Sequence, residues 1–258
     1  VDGQAAIHGR NGEVRIEADV MPLKNSVFVY NASTPDIITN QEFIQWGSVP
    51  GAQGTANAPG VQKVKSERDD FRSDLFMNIK VNANPDAAIR LLMDARTGDY
   101  ITLRGNGDIQ ATYYNKGSFN MFGNYEVSSG TYNVTIQDVI HKDFTFQEGG
   151  TIVFSGNPYD ARLNLQAQHV VNGVSLSDLN IGRSFSNTLR VNCLMNIQGT
   201  AGAPRVEFDL EIPTVNSEEE QMIRSIIASE QELNQQVVYL LGIGRFYTQG
   251  TNNAGTQQ

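Results

Sequence analysis

The sequence holds a single cysteine, Cys193, so no disulfide can form within it. On the apolar side of a strand-like run, such a cysteine reads as a small buried hydrophobe. The three histidines, His8, His141 and His169, are far apart and lack the spacing of a metal site. Lys and Arg are scattered within an acidic excess that leaves a net charge of −9. A chain of that charge with no basic run cannot neutralise a row of phosphates, which argues against nucleic acid as a partner. Nor does it offer a polybasic patch to anionic headgroups. No stretch approaches the ~18 apolar residues of a membrane-spanning helix. Nucleophile-elbow, Walker A and dinucleotide fingerprints are missing. Gly105 and Gly107 lie between two strand-like runs and open no helix, so they read as turn chemistry. No cofactor is expected. No signal peptide is seen, and Val1 starts abruptly with Ala5 and Ile7 already strand-like, so the chain reads as a piece of a longer polypeptide.

What the sequence has in quantity is alternation. In 205–212, Val206, Phe208, Leu210 and Ile212 alternate with Arg205, Glu207, Asp209 and Glu211. In 189–197, Leu189, Val191, Cys193, Met195 and Ile197 do the same, and in 161–168 so do Ala161, Leu163, Leu165 and Ala167. A period of two puts every apolar group of a strand on one face. Similar runs occur at 13–20 and 26–30, then almost without interruption from residue 74, separated by turn signals such as Asn84-Pro85-Asp86 and Gly149-Gly150. Strands about ten residues apart with Gly/Asn turns specify a sheet-only architecture: sandwich, barrel or elongated solenoid-like sheet. In a sandwich the apolar faces would close on each other as a core. The runs at 160–168 and 189–198 are longer than the usual five or six residues.

Three stretches depart from the pattern. Residues 46–72 are rich in Gly and Pro and then charged, which is loop chemistry, and 172–187 form a Ser/Asn-rich excursion where Leu176 and Leu179 can cover an edge. After residue 213 the period becomes helical. Ser217 with Glu220, and Ser229 with Glu232, have capping-box spacing. Behind them run Met222, Ile223, Ile226 and Ile227, then Leu233, Val237, Leu240 and Leu241, which predicts two short amphipathic helices ending near Gly242 or Gly244.

Candidate chemistry is thin. Asp94 with Asp99, and Asp69-Asp70, could be read as glycosidase-like carboxylate pairs, but they fall in turns and on wet faces where Asp is common. Trp46 with Phe43 could be a sugar platform, although a packing anchor is the simpler reading. These residues point away from an enzyme.

A series of motifs in order is more specific. Gly123-Asn124-Tyr125-Glu126-Val127-Ser128-Ser129-Gly130-Thr131-Tyr132 is followed by Lys142-Asp143-Phe144-Thr145-Phe146, then Gly149-Gly150-Thr151-Ile152 and Phe154-Ser155-Gly156-Asn157-Pro158-Tyr159-Asp160-Ala161. Further on come Ile197-Gln198-Gly199, Pro204-Arg205-Val206-Glu207-Phe208 and a helix pair ending Leu240-Leu241 and Arg245-Phe246. Across 74–246 this order resembles the C-terminal domain of the TamB family, of the AsmA-like group, in its Bacteroidota form.

The resemblance implies an all-β fold: an elongated, curled, taco-like sheet with a hydrophobic groove, capped by two short C-terminal helices. It implies residues 1–45 as preceding strands of the same sheet, 73–213 as the main groove and 214–246 as the helical cap; 46–72, from its Gly/Pro-rich and charged composition, reads as a flexible insert and the polar 247–258 as a disordered tail, and these two stretches depart from the family pattern. It implies a periplasmic protein anchored in the inner membrane by a segment outside this chain and reaching the outer membrane. Its partners would be an Omp85-family outer-membrane barrel (TamA-like), phospholipid and nascent outer-membrane proteins, in lipid movement or in protein assembly. On that reading Ile79, Leu91, Leu103, Leu163, Leu165, Val191, Cys193, Met195, Val206, Phe208 and Leu210 line the groove. Val237, Leu240, Leu241 and Phe246 dock the partner. Twelve strands at ~4.8 Å would span roughly 55–60 Å.

Overall fold

A computed structural model describes residues 1–31, 74–94, 96–136, 138–179 and 188–248. The 46–72 insert, with Trp46 and Asp69-Asp70, lies outside these residues, as does Phe43. The strands are β1 (Asp2–Arg10), β2 (Glu13–Met21), β3 (Val27–Asn31), β4 (Asp74–Ala83), β5 (Ala88–Asp94), β6 (Asp99–Tyr114), β7 (Phe119–Ile136), β8 (Ile140–Phe146), β9 (Thr151–Gly156), β10 (Arg162–Ser175), β11 (Thr188–Thr200) and β12 (Ala203–Glu211). Helices α1 (Ser217–Ile226) and α2 (Glu230–Ile243) follow. All 12 strands belong to one sheet, ordered β1-β2-β4-β6-β7-β8-β10-β11-β12, with β3 beside β5 and β9 between β7 and β10.

Three of the nine rungs in that order are broken. β4 pairs with the C-terminal half of β6 and β5 with its N-terminal half, both antiparallel. β8 and β9 divide β7 in the same way, and β2 and β3 run parallel to β4 and β5 respectively. Each pair is therefore one rung interrupted by a kink. Eight gaps of about 4.8 Å then span about 38 Å, shorter than a count of twelve separate rungs suggests. A parallel neighbour needs a long return, and residues 32–73 join β3 to β4.

The kinks lie in register and are stitched together. Asn25 N–H donates to Asp86 O at 3.0 Å, and Asn84 Nδ2 to Pro22 O at 2.8 Å. Arg104 Nη1 reaches the carbonyls of Pro85 and Asp86 at 3.2 and 3.0 Å. Val127 exchanges backbone bonds with Gly150 and Gly149 at 2.8 and 2.9 Å. The turn residues seen in the sequence thus build a crease across the sheet. β6 and β7 pass through it unbroken, with a register shift at Arg104/Gly105. At Gly105 the two backbones come so close that a Cβ would sit 2.0 Å from Glu126 O. Only glycine fits there.

The sheet also curls. In a flat sheet β8 and β12, separated by β10 and β11, would lie about 14 Å apart. The rings of Phe144 and Phe208, one on each, have centroids 6.4 Å apart. Inner-face residues converge: Leu91 opposes Ile101, Ile101 opposes Tyr132 and Tyr132 opposes Phe144. Ala167 opposes Met195, and Met195 opposes Phe208. With Val127, Val174 and Val191 they form one continuous core. β10 runs past residue 168, where alternation stops, because a bulge between Val171 and Val174 with Gly173 at φ 76° carries it on to Ser175. Leu176 and Leu179 follow in a 3-10 turn and are buried.

The helices sit where their period predicts, with one correction. The N-cap of α1 is Asn216, paired with Glu219, one residue before the Ser217/Glu220 reading. Asparagine caps as well as serine, and it stands where the backbone is still extended. α2 is capped by Ser229 and Glu232 and ended by Gly244 in the left-handed conformation. α2 packs against β8, β11 and β12, lying across the curled face.

Gly105→Ala should lower the urea midpoint sharply or prevent folding, because its Cβ meets backbone that cannot move aside. Gly9→Ala on β1, where a Cβ meets nothing within 4 Å, should change stability by about 0.5 kcal/mol at most. Equal midpoints for the two variants would refute the crease as a packing constraint.

Candidate functional site

The concave apolar face is graded along its length. Residues Ile7, Ile16, Met77, Tyr113 and Phe119 lie opposite one another in succession, as do Ala5, Ala18, Ile79, Ala111 and Met121. Among the described residues nothing covers this end: Ile7 is 71% exposed, and Ile16, Met77 and Ile79 are half-buried. Toward its other end, on β11, the same face carries Val191 and Cys193 with no exposure. The difference is not chemical, since both ends carry aliphatic residues at alternate positions. It arises because α2 and the curl cover one end.

The residues read as groove-lining do share this face, but most serve as packing. Leu103, Leu165, Val191, Cys193, Met195 and Leu210 are buried. Leu163 and Phe208 are half-buried, as are Ile79 and Leu91 toward the uncovered end. Val206, on the outermost strand, is 45% exposed. The four residues read as partner-docking lie on and just after α2. Val237, Leu240, Leu241 and Phe246 are all buried within the chain. They are the apolar stripe that fastens α2 to the sheet, worth on the order of 1.5–3 kcal/mol each. The apolar residues that face outward near them are Ile226, Tyr239 and Ile243.

Polar contacts hold the rim. Arg245, just past α2, grips the Asp178 carboxylate with Nε at 3.1 Å and Nη2 at 2.7 Å. Thr248 Oγ1 donates to Asp178 O at 2.8 Å. The side chain of Gln236 donates to Tyr247 O at 3.0 Å and accepts from Tyr247 N–H at 2.8 Å. Tyr247 and Thr248, read as the start of a tail, are therefore tied down, while 249–258 lie outside the described residues. The Arg245–Asp178 contact joins residues 67 apart in sequence. No periodicity announces such a pair.

On the outer face amides pair across strands, Gln110 Nε2 with Asn78 Oδ1 at 2.8 Å and Gln166 Nε2 with Asn196 Oδ1 at 2.7 Å. His169 interrupts the apolar series of β10 opposite Cys193. Its Nδ1 lies 2.8 Å from Asp143 O, and since a carbonyl only accepts, Nδ1 carries the proton. The ring rests on Phe144. Asp99, read as half of a carboxylate pair, is buried. Burial works to raise its pKa, but Thr135 N–H at 2.9 Å and Thr135 Oγ1 at 2.7 Å outweigh that and hold it below the ordinary value. It serves as a structural acceptor. Among the described residues no group of three or more His, Cys, Asp or Glu could hold a metal ion, and no helix is long and apolar enough to cross a membrane.

Burial pushes the Cys193 thiol up to about 12. The native protein should resist maleimide at pH 8 and react fully in urea. A thiol whose pKa is raised by folding contributes stability below its ordinary value and loses it as pH rises, so unfolding should become easier above about pH 9. Rapid labelling of the native protein would show that the covered end opens freely.

The family model described as the TamB C-terminal domain matches residues 1–258. The match extends beyond the motif series at 74–246 to both ends of the chain. No curated protein matches the chain.

Proposed function

The chain belongs to the TamB C-terminal domain family, and from that premise we propose that its concave face conducts phospholipid acyl chains across the periplasm between the inner and outer membranes. That the chain is part of a TamB-like envelope protein follows from the family; the cargo is our reading. One observation carries it: a single apolar face, continuous in register from β1 to β12, is left uncovered by the described residues at the β1 end. An uncovered apolar strip of this kind calls for an occupant.

The chemistry suits an acyl chain. The lining is mostly aliphatic, with Tyr113 and Phe119 among it and few directional groups, so each buried CH₂ gains about 0.8 kcal/mol wherever it lies along the strip. Headgroups remain in water outside. An occupant held by non-directional contacts can slide without crossing a large barrier, and no nucleotide or metal is called for.

A second reading, assembly of outer-membrane or secreted proteins with an Omp85-family barrel of the TamA type, has its own support. Among the described residues β12 pairs only with β11, leaving one edge free to add a strand. Ile226, Tyr239 and Ile243 lie exposed on the helices that follow β12.

A photo-crosslinking residue at Ile79 or Met77 should capture phospholipid in cells, while one at Lys80 on the opposite face should not. Adducts at Lys80 alone would sink the conduit reading. For the second reading, Ile243→Asp should reduce co-purification with the barrel without loss of stability. Unchanged recovery would remove the helical surface from consideration. Leu240→Asp is no substitute, because it would expel α2 from the sheet.

A further inference from the structure

We propose that the covered end of the concave face is an acyl-chain site that the chain fills with its own helix α2, so that α2 is a displaceable plug latched by Arg245 and Asp178. The proposal rests on the conduit reading and adds a gate to it.

The apolar face beneath α2 is continuous with the open part. Rung by rung, the aliphatic positions that stand half-buried at Met77 and Ile79 become fully buried at Val191, Cys193 and Met195. The floor does not change in kind; only its cover does. That cover is held by contacts an acyl chain could replace. Val237, Leu240 and Leu241 meet the sheet through aliphatic surface, and among the described residues no hydrogen bond or ion pair joins α2 to the strands below it. Non-directional contact has no preference between a leucine side chain and a hydrocarbon tail.

The directional contacts are gathered at one end. Arg245 binds Asp178 in two-point fashion, and Thr248 adds a bond to the same residue's carbonyl. Arg245 is largely exposed while Asp178 is nearly covered, so the pair closes over the rim from outside. At the other end of the helix, α1 and α2 are separated only by Ile227, Ala228 and Ser229. α1 is held to β12 by Arg224, which lies 3.6 Å from Asp209, and by buried Ile223. A helix latched at its C-terminal end and jointed at its N-terminal end can swing without disturbing the sheet's own hydrogen bonds. The ladder on both sides of β11 is complete without α2. Opening would expose Val191, Cys193 and Met195 as an extension of the open strip.

The experiment uses the full chain with a photo-crosslinking residue at Ile79, in the open part, or at half-buried Phe208, opposite Met195. Each protein is irradiated with vesicles of phosphatidylethanolamine and phosphatidylglycerol. Arg245→Ala and Asp178→Asn should raise lipid adducts at position 208 several-fold and speed hydrogen exchange of the α2 amides. Ile79 adducts should not change. A tether between cysteines in Ile140→Cys/Gly242→Cys, made with Cys193→Ala, should abolish adducts at 208 and spare those at 79. A Cβ at Gly242 lies 3.3 Å from the Ile140 side chain, so the two positions are adjacent. If the latch variants and the tether all leave position 208 unchanged while Ile79 still captures lipid, α2 is permanent core and the plug is overturned, with the conduit intact. If Ile79 captures none, the conduit reading fails and the plug with it.

Discussion

A single sheet with one apolar face has nothing to close against, and the whole structure follows from how that face is covered. In a sandwich a second sheet would supply the cover. Here the sheet supplies it by bending. The kinks of β2/β3, β4/β5 and β8/β9 align into one crease, and the curl brings Phe144 toward Phe208 across two intervening strands. Backbone hydrogen bonding is kept through the bend because the kinked residues bond one another, as Asn25 does Asp86 and Val127 does Gly150. Bending is therefore achieved without stranding buried polar backbone, which would cost more than the packing gained.

Curvature covers only part of the face. Where the rungs are not drawn together, Ile7, Ile16 and Met77 remain partly or fully open. Where they are, the concavity is too wide to fill with strand side chains, and α2 completes it. The same alternation thus yields an open strip at one end and a packed interior at the other. The covered end is closed both by the apolar stripe of α2 and by the Arg245–Asp178 contact at its rim.

The chemistry of the face fits this division. Catalysis needs polar groups held in fixed geometry within a cleft. Asp99, the one buried acid among the described residues, is committed to Thr135, and the buried cysteine is held as a thiol by its surroundings. What remains across the face is mostly apolar, interrupted by a few polar groups such as His169 and Tyr113.

Alternation at 161–168, 189–197 and 205–212 determined strand identity and inward-facing residues, because a period of two leaves one choice of face, while slips of two residues keep that face and leave the register to the fold. The capping residues and 3.6-residue stripe determined both helices, to within one residue at Asn216. Turn residues marked the kinks but could not reveal that two strands make one rung, since that depends on which half of β6 or β7 each one meets. The role of Val237, Leu240, Leu241 and Phe246 was likewise beyond sequence: an amphipathic stripe is the same whether it faces a partner or the chain's own sheet. Only the curl decided it, by carrying β8 and β12 to either side of one helix. The Arg245–Asp178 pair was invisible for the same reason. Local periodicity encodes which side of an element is apolar, while tertiary structure alone decides what is brought against it.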